Sequence, residues 1–356
     1  MDQEDQLCVL ESSLFKAAME IADNNASSED LQAKINQLFL EVENECKASF
    51  LSDIEDRFPK ILSDNRRDCA AFEARNFQRW KPSFNHLETM CLLAREFGEM
   101  HGKSFKKNNP EASDNVMAAL AQIFPRALLV SEEIICLLKG GFPDGALARW
   151  RSLHELAITA KYISKHGEEI ATLYLLSFHF LARNSARQMN EHSERANIDP
   201  ISDEELKFLD ERCEQAEAII GRNIGTGPNS EWPAINKKHS TFKKIEENVE
   251  MDHWRPRYKW ATTYTHANYR PMEGLLGSTG RTEDGYLVGQ SSLGYTDPFQ
   301  MTAITLMQIT ATYLMHGVNV DRLVMIRVMK DLSDQMSIIS IQNEQSIVSS
   351  VSDPLK

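Results

Sequence analysis

Residues 143–166 would form a helix that is apolar on nearly every side, and this constrains the fold more than any other feature of the chain. At the helical rotation of about 100° per residue, Leu153, Leu156, Ala160 and Ile163 fall within about 40° of Arg149. Arg151, His154, Glu155, Ile158 and Tyr162 occupy the other side, with Trp150 and Ala157 between the two faces. A helix covered in this way belongs at the centre of a bundle. Pro143-Asp144 starts it, after Gly140-Gly141 has ended the preceding helix, and Gly167 closes it. Its polar groups must find partners, because burying an unpaired charge is costly.

Helical periodicity recurs along the chain. Leu7, Leu10, Leu14, Ala17, Ala18 and Ile21 mark one helix, and Leu31, Ile35, Leu38, Phe39 and Val42 mark a second that continues towards Phe58-Pro59. The two suggest a hairpin or a dimerising arm within residues 1–80. Residues 60–82 read as a polar, irregular boundary. A core domain over 81–341 follows, with helices near 84–101, 114–139 (kinked at Pro125), 143–166, 168–193, 202–222, 240–250, 256–269, 297–316 and 319–340. Ser202-Asp-Glu-Glu is a capping pattern. Residues 271–296 hold Gly274, Gly277, Gly280, Gly285, Gly289 and Gly294 and form an irregular Gly-rich loop, with a hairpin turn at Asp284-Gly285. Residues 342–356 read as a fraying Ser-rich tail. With no strand set large enough for a sheet, the expected fold is all-α, a multi-helix bundle with an N-terminal helical extension.

A formal charge of −13 argues against broad non-specific nucleic-acid binding, which depends on phosphate neutralisation by Lys and Arg. The six cysteines are scattered, with no Cys-x-x-Cys pair, and read as buried thiols of a reducing compartment. The opening Met-Asp-Gln-Glu-Asp-Gln has neither the basic nor the apolar segment of a signal peptide, and no apolar run approaches a bilayer span. A cytoplasmic protein with no membrane contact is expected. The histidines show no metal-ligand spacing, and Gly221–Gly227 lacks the preceding strand and following Lys-Ser/Thr of a phosphate loop. Neither a metal nor another cofactor is expected.

Two constellations carry potential chemistry. Arg151 and Glu155 are four apart and can pair on one helix, and His154 is close enough to Arg151 to share an anion with it. One reading makes Arg151–Glu155 a buried ion pair tying helices together, with His154 hydrogen-bonded in the core. The other makes Arg and His a phosphodiester-cleaving pair, Arg stabilising the phosphate and His acting as general acid or base. The second constellation lies between His253 and Pro271, where Arg255, Arg257, Lys259 and Arg270 alternate with Trp254, Tyr258, Trp260, Tyr264 and Tyr269, with no acidic residue. Basic groups interleaved with stacking aromatics suit RNA or a nucleotide in a local basic groove, and they equally suit an amphipathic core helix with packed aromatics and solvated arginines. On a helix running to Tyr269, His266 shares a face with Tyr258 and Thr262. Arg183, Arg187, His192 and Arg195 read as a solvated helix face.

The spacing Arg149-x4-His154 matches the Arg-x(4–6)-His signature of HEPN-fold ribonucleases, although about 140° separates the two residues on one helix. Phe142-Pro-Asp-Gly-Ala-Leu-Ala-Arg-Trp-Arg-Ser-Leu-His-Glu-Leu-Ala157, Tyr258-Lys-Trp-Ala-Thr-Thr-Tyr-Thr-His266 and Gly289-Gln-Ser-Ser-Leu-Gly-Tyr-Thr-Asp-Pro298 together resemble a bacterial domain-of-unknown-function family, number 5677, over about residues 115–320. Thr262 departs mildly from the small residue, such as Ser, expected before the histidine. The resemblance implies an all-helical, HEPN-like core whose polar signature falls on Arg149, Arg151, His154, Glu155 and His266. On this reading the chain is a metal-independent endoribonuclease of a bacterial toxin or phage-defence type. RNA would meet Arg255, Arg257, Tyr258, Lys259, Trp260 and Arg270, and a homodimer would complete the site. The alternative is a non-catalytic helical module that binds a nucleotide or a protein partner.

Overall fold

The structure, a computed structural model, describes residues 28–108, 113–267, 269–278, 285, 286 and 288–352. The chain divides into two compact units, Met1–Ala71 and Phe72–Lys356. Among the described residues there are helices and turns and no strand, an all-α fold as the periodicity predicts. The helix expected over residues 5–22 and Asp284 of the expected hairpin turn lie outside the described residues.

Helix α1 (Ser28–Arg79) is unbroken through Pro59 and through the stretch expected to be irregular. The charged run there is a helix face paired within itself, with Arg67 3.1 Å from Asp64 and Arg57 3.0 Å from Asp53. From Phe72 onwards α1 belongs to the second unit, which also contains α2 (Lys81–Asn108), α3 (Asn115–Lys139), α4 (Pro143–His166), α5 (Glu168–Ala196) and α6 (Asp203–Ile220). Two short helices follow, α7 (Phe242–Asn248) and α8 (Arg255–Thr262), before the long closing pair α9 (Thr296–Met315) and α10 (Val320–Ser352).

Local chemistry explains the boundaries. Asp114 caps α3 by accepting from the Met117 amide at 2.6 Å, and Ser202 with Glu205 forms a complete capping box on α6. Helix α3 passes through Pro125 without a break. Helix α8 stops at Thr262, seven residues short of the expected Tyr269. The hydroxyls of Thr262, Thr263 and Thr265 bond to the carbonyls of Tyr258, Trp260 and Thr262, offering the backbone an alternative to further helix. Helix α10 runs ten residues past 342, through the segment expected to fray. Packing holds it: Asn343 is buried and bonds Ser83 Oγ and the Arg79 carbonyl, and Ile347 is buried too.

Helix α4 lies in the middle of the second unit and is packed by α3, α5, α7, α8 and α9. Ala146, Leu147, Trp150, Leu153, Ile158, Tyr162 and Ile163 are wholly buried on it. Trp150 Nε1 donates to Met301 O at 3.0 Å and Thr305 Oγ1 at 2.9 Å, which fixes α4 against α9. A second aromatic cluster joins Trp80, Phe84, Tyr295 and Phe299, with the Trp80 and Tyr295 rings stacked 5.0 Å apart. The Gly-rich loop is ordered where it is described. Gly294 takes φ +77°, and a Cβ there would meet Leu276 O at 2.4 Å, so only glycine fits. The cysteines differ from expectation: Cys91 and Cys213 are buried, but Cys46 and Cys69 are only partly covered and Cys136 is exposed.

At Gly98 of α2 the neighbouring helix comes so close that a Cβ would stand 2.2 Å from the Phe124 ring. Gly98→Ala should therefore destabilise the protein by about 1–3 kcal/mol through overpacking, despite the higher helix propensity of alanine, as measured by urea denaturation.

Candidate functional site

The predicted residues do not converge on one cleft. Arg149 faces α3 and pairs with Glu133, with a weaker contact to Ser152 Oγ at 3.4 Å. His154, one and a half turns further on, points the other way and is 1% exposed. Its Nε2 lies 3.1 Å from Oε1 of Glu246, a carboxylate with no exposed surface. The second oxygen of Glu246 receives Arg255 at 2.8 Å. Trp150, Phe242 and Tyr258 surround the imidazole, with ring centroids 5.1, 6.3 and 5.8 Å away. His154 therefore sits in a sealed compartment made by α4, α7 and α8.

Sequence reasoning missed Glu246. It is one of three acidic residues within Glu246-Glu-Asn-Val-Glu250, and no local pattern distinguishes it from a solvated surface glutamate. Its burial follows from the short α7, capped by Thr241, which lays Ile245 and Glu246 against α4. The half-buried Phe242 ring meets the buried Tyr258 ring, with centroids 5.1 Å apart, and joins α7 to α8.

Nearer the surface, Arg151 and Glu155 form the expected pair at 2.9 Å, about one-third exposed. Tyr258 completes it by donating its hydroxyl to Glu155 Oε1 at 2.5 Å. The guanidinium carbons of Arg151 and Arg255 both lie over the Tyr258 ring, at 5.0 and 5.2 Å. One phenol thus links the surface pair to the buried pair. Burial and the adjacent Glu155 carboxylate push the Tyr258 hydroxyl up to about 12. Arg151 Nε, Arg255 Nε and Trp254 Nε1 are buried N–H donors without a hydrogen-bond acceptor among the described residues.

The remaining members of the basic stretch divide between paired and open. Arg257 bonds Asp297 at 2.5 Å on the surface. Arg270 stacks on Tyr264 at 4.1 Å and donates to the Thr263 and Tyr264 hydroxyls and the Gly274 carbonyl. Trp260 is half-buried, 6.2 Å from Tyr264. Lys259 and His266 are exposed, and Tyr269 is 94% exposed. Because α8 ends early, His266 does not share a helical face with the buried Tyr258. The basic face proposed on α5 also divides, since Arg183 is buried and donates to the Gly225 carbonyl while Arg187 pairs with Asp210 at 2.6 Å. Among the described residues no group of three or more His, Cys, Asp or Glu side chains could hold a metal ion. No described helix is long and apolar enough to cross a membrane.

Residues 117–285 match the model of a family of unknown function (DUF5677). The match takes in α4, α7, α8 and the whole His154–Glu246–Arg255–Tyr258–Arg151–Glu155 chain, in slightly less than half of the protein. It ends before Gly289–Pro298, the third segment on which the sequence resemblance rests. Neither the curated proteins nor the solved structures contain a significant match.

Removing the acceptor at the centre of this chain would leave a buried imidazole and a largely buried guanidinium unpaired. Glu246→Ala is expected to cost about 3–5 kcal/mol in urea denaturation, whereas Tyr258→Phe, which loses one hydrogen bond to a charged acceptor, should cost about 1.5–3 kcal/mol. A phenol whose folded value lies above the unfolded one contributes fully below the unfolded value and loses that contribution as pH rises through the folded value. Wild type should therefore lose stability relative to Tyr258→Phe between pH 10 and about 12, and their difference should be flat at neutral pH.

Proposed function

We propose that this protein is a non-catalytic helical module that binds a nucleotide, and that the Arg151–Glu155 pair and the His154–Glu246–Arg255 chain hold its core together. The observation that carries this reading is the state of His154. Its Nε2 is engaged by a fully buried carboxylate, and Trp150, Phe242 and Tyr258 enclose the ring, so it is not presented to a ribose hydroxyl or a leaving oxygen. General acid–base catalysis needs a group within hydrogen-bond reach of the reacting atoms. Arg149, the arginine of the HEPN-like spacing, is engaged with Glu133 on another side of α4 and does not join His154.

What recommends a nucleotide is the exposed part of the basic stretch. Lys259 offers a charge to phosphate, and the open ring of Tyr269 offers a stacking face. Arg257 is a further candidate, because an exposed pair such as Arg257–Asp297 is worth only about 0–1 kcal/mol and a phosphate can displace the carboxylate. Arg255 is not available in this way, since it would abandon the buried Glu246.

Two measurements test the reading. Wild-type protein in EDTA should leave single-stranded and structured RNAs intact. Cleavage that disappears in His154→Gln, with circular dichroism and melting temperature unchanged, would instead establish the ribonuclease. ATP titrated against wild type should change tryptophan fluorescence, and Lys259→Glu should weaken its binding by about fivefold or more. Equal affinity in the two proteins would remove the nucleotide from this surface.

A further inference from the structure

Away from α4, a cavity of about 440 Å³ opens between α2 and the start of α10. Its inner wall contains His101, which is 1% exposed and has no hydrogen-bond partner among the described residues at either ring nitrogen. This is an unusual state, because buried polar groups are nearly always partnered and an unmet one costs about 1–3 kcal/mol. The ring packs edge-on against Tyr313 at 4.7 Å and near Phe105 at 6.1 Å, contacts that a phenylalanine would make equally well. Packing therefore does not account for a histidine here.

Beside it in the cavity stands Arg322, 7% exposed. Its guanidinium donates to the Gly317 carbonyl and, at 3.3 Å, to Ser104 Oγ, which occupies two of its five N–H donors and, among the described residues, no carboxylate. Among the described residues, charged or titratable groups nearby include His316, already bonded to Asp114 at 2.7 Å, and the exposed Asp321 on the cavity wall. Burial, then Arg322 and His316, hold His101 down to about 4, so its ring is neutral near pH 7. The inner end of the cavity thus combines one buried cation with a neutral N–H donor. Apart from Asn319, the rest of the lining is apolar, chiefly Phe97, Met100, Val324 and Val328.

We propose that this cavity binds an aliphatic carboxylate, with the carboxylate on His101 and Arg322 and the chain along Phe97, Met100, Val324 and Val328. A single negative charge matches the one guanidinium. A phosphate dianion would exceed it and would face Asp321 as well. The volume suits a ligand of this size, since small-molecule sites lie in the range of about 300–1,000 Å³. The site lies apart from the Tyr258 region and does not depend on the function assigned to it.

Calorimetric titration with decanoate, decanol and inorganic phosphate tests the assignment on the full chain. Decanoate should bind with a Kd below about 100 μM, and decanol and phosphate at least about tenfold more weakly. His101→Phe, which keeps the aromatic packing, and Val328→Trp, which fills the outer part of the cavity from a partly exposed wall position, should each weaken decanoate by about tenfold or more. The imidazole signals of His101 in NMR spectra should move on addition of decanoate. Failure of decanoate to bind, equal affinity for decanol or phosphate, or unchanged affinity in both folded variants would overturn the proposal.

Discussion

Helix α4 is packed by five other helices, and the organisation of the second unit follows from that constraint. A helix in this position buries much of its polar surface, and most of the charged and polar groups on its covered faces are partnered from neighbouring elements. Arg149 is taken by Glu133 on α3, His154 by Glu246 on α7, and Glu155 by both Arg151 and Tyr258 of α8. Trp150 turns its N–H to α9. The polar groups of α4 therefore specify which helices surround it.

The energetics separate these contacts into two kinds. Arg151–Glu155 and Arg257–Asp297 are partly solvated pairs, each worth at most about 1 kcal/mol. Glu246 has no exposed surface, and the large quantity there is the penalty for leaving it or its partners alone. The ring of Tyr258 joins the two regimes, with two guanidinium groups over it and its hydroxyl on Glu155. A carboxylate that meets both a histidine and an arginine ties the two together, and the most suggestive histidine of the sequence is 1% exposed there.

Much of this was legible in the residues themselves. The near-complete apolar cover of 143–166 identified a central helix, and the i, i+4 spacing identified Arg151–Glu155 as a pair. Asp114, Ser202 and Gly167 marked helix ends where the structure has them. Other features were hidden for definite reasons. Pro59 and a run of alternating charges resemble a linker, yet the charges pair along the helix they occupy. Thr262, Thr263 and Thr265 shorten α8 through side-chain bonds to their own backbone, so the periodicity that seemed to carry His266 onto the Tyr258 face does not operate. The Ser-rich end of the chain stays helical to Ser352, where Asn343 meets partners far away in sequence and Ile347 is buried.

The sequence by itself determined the elements and the demand for partners, since both follow from period, capping and the cost of burying charge within a few turns of helix. Only the tertiary structure decided which groups meet. Glu246 lies 92 residues from His154, and Arg322 lies 218 residues from Ser104. No local pattern encodes such distances, because long-range pairing is set by how whole helices pack. That packing brought His154, Glu246 and Arg255 together and, among the described residues, left an unpartnered histidine beside a buried arginine in a cavity that no motif had marked.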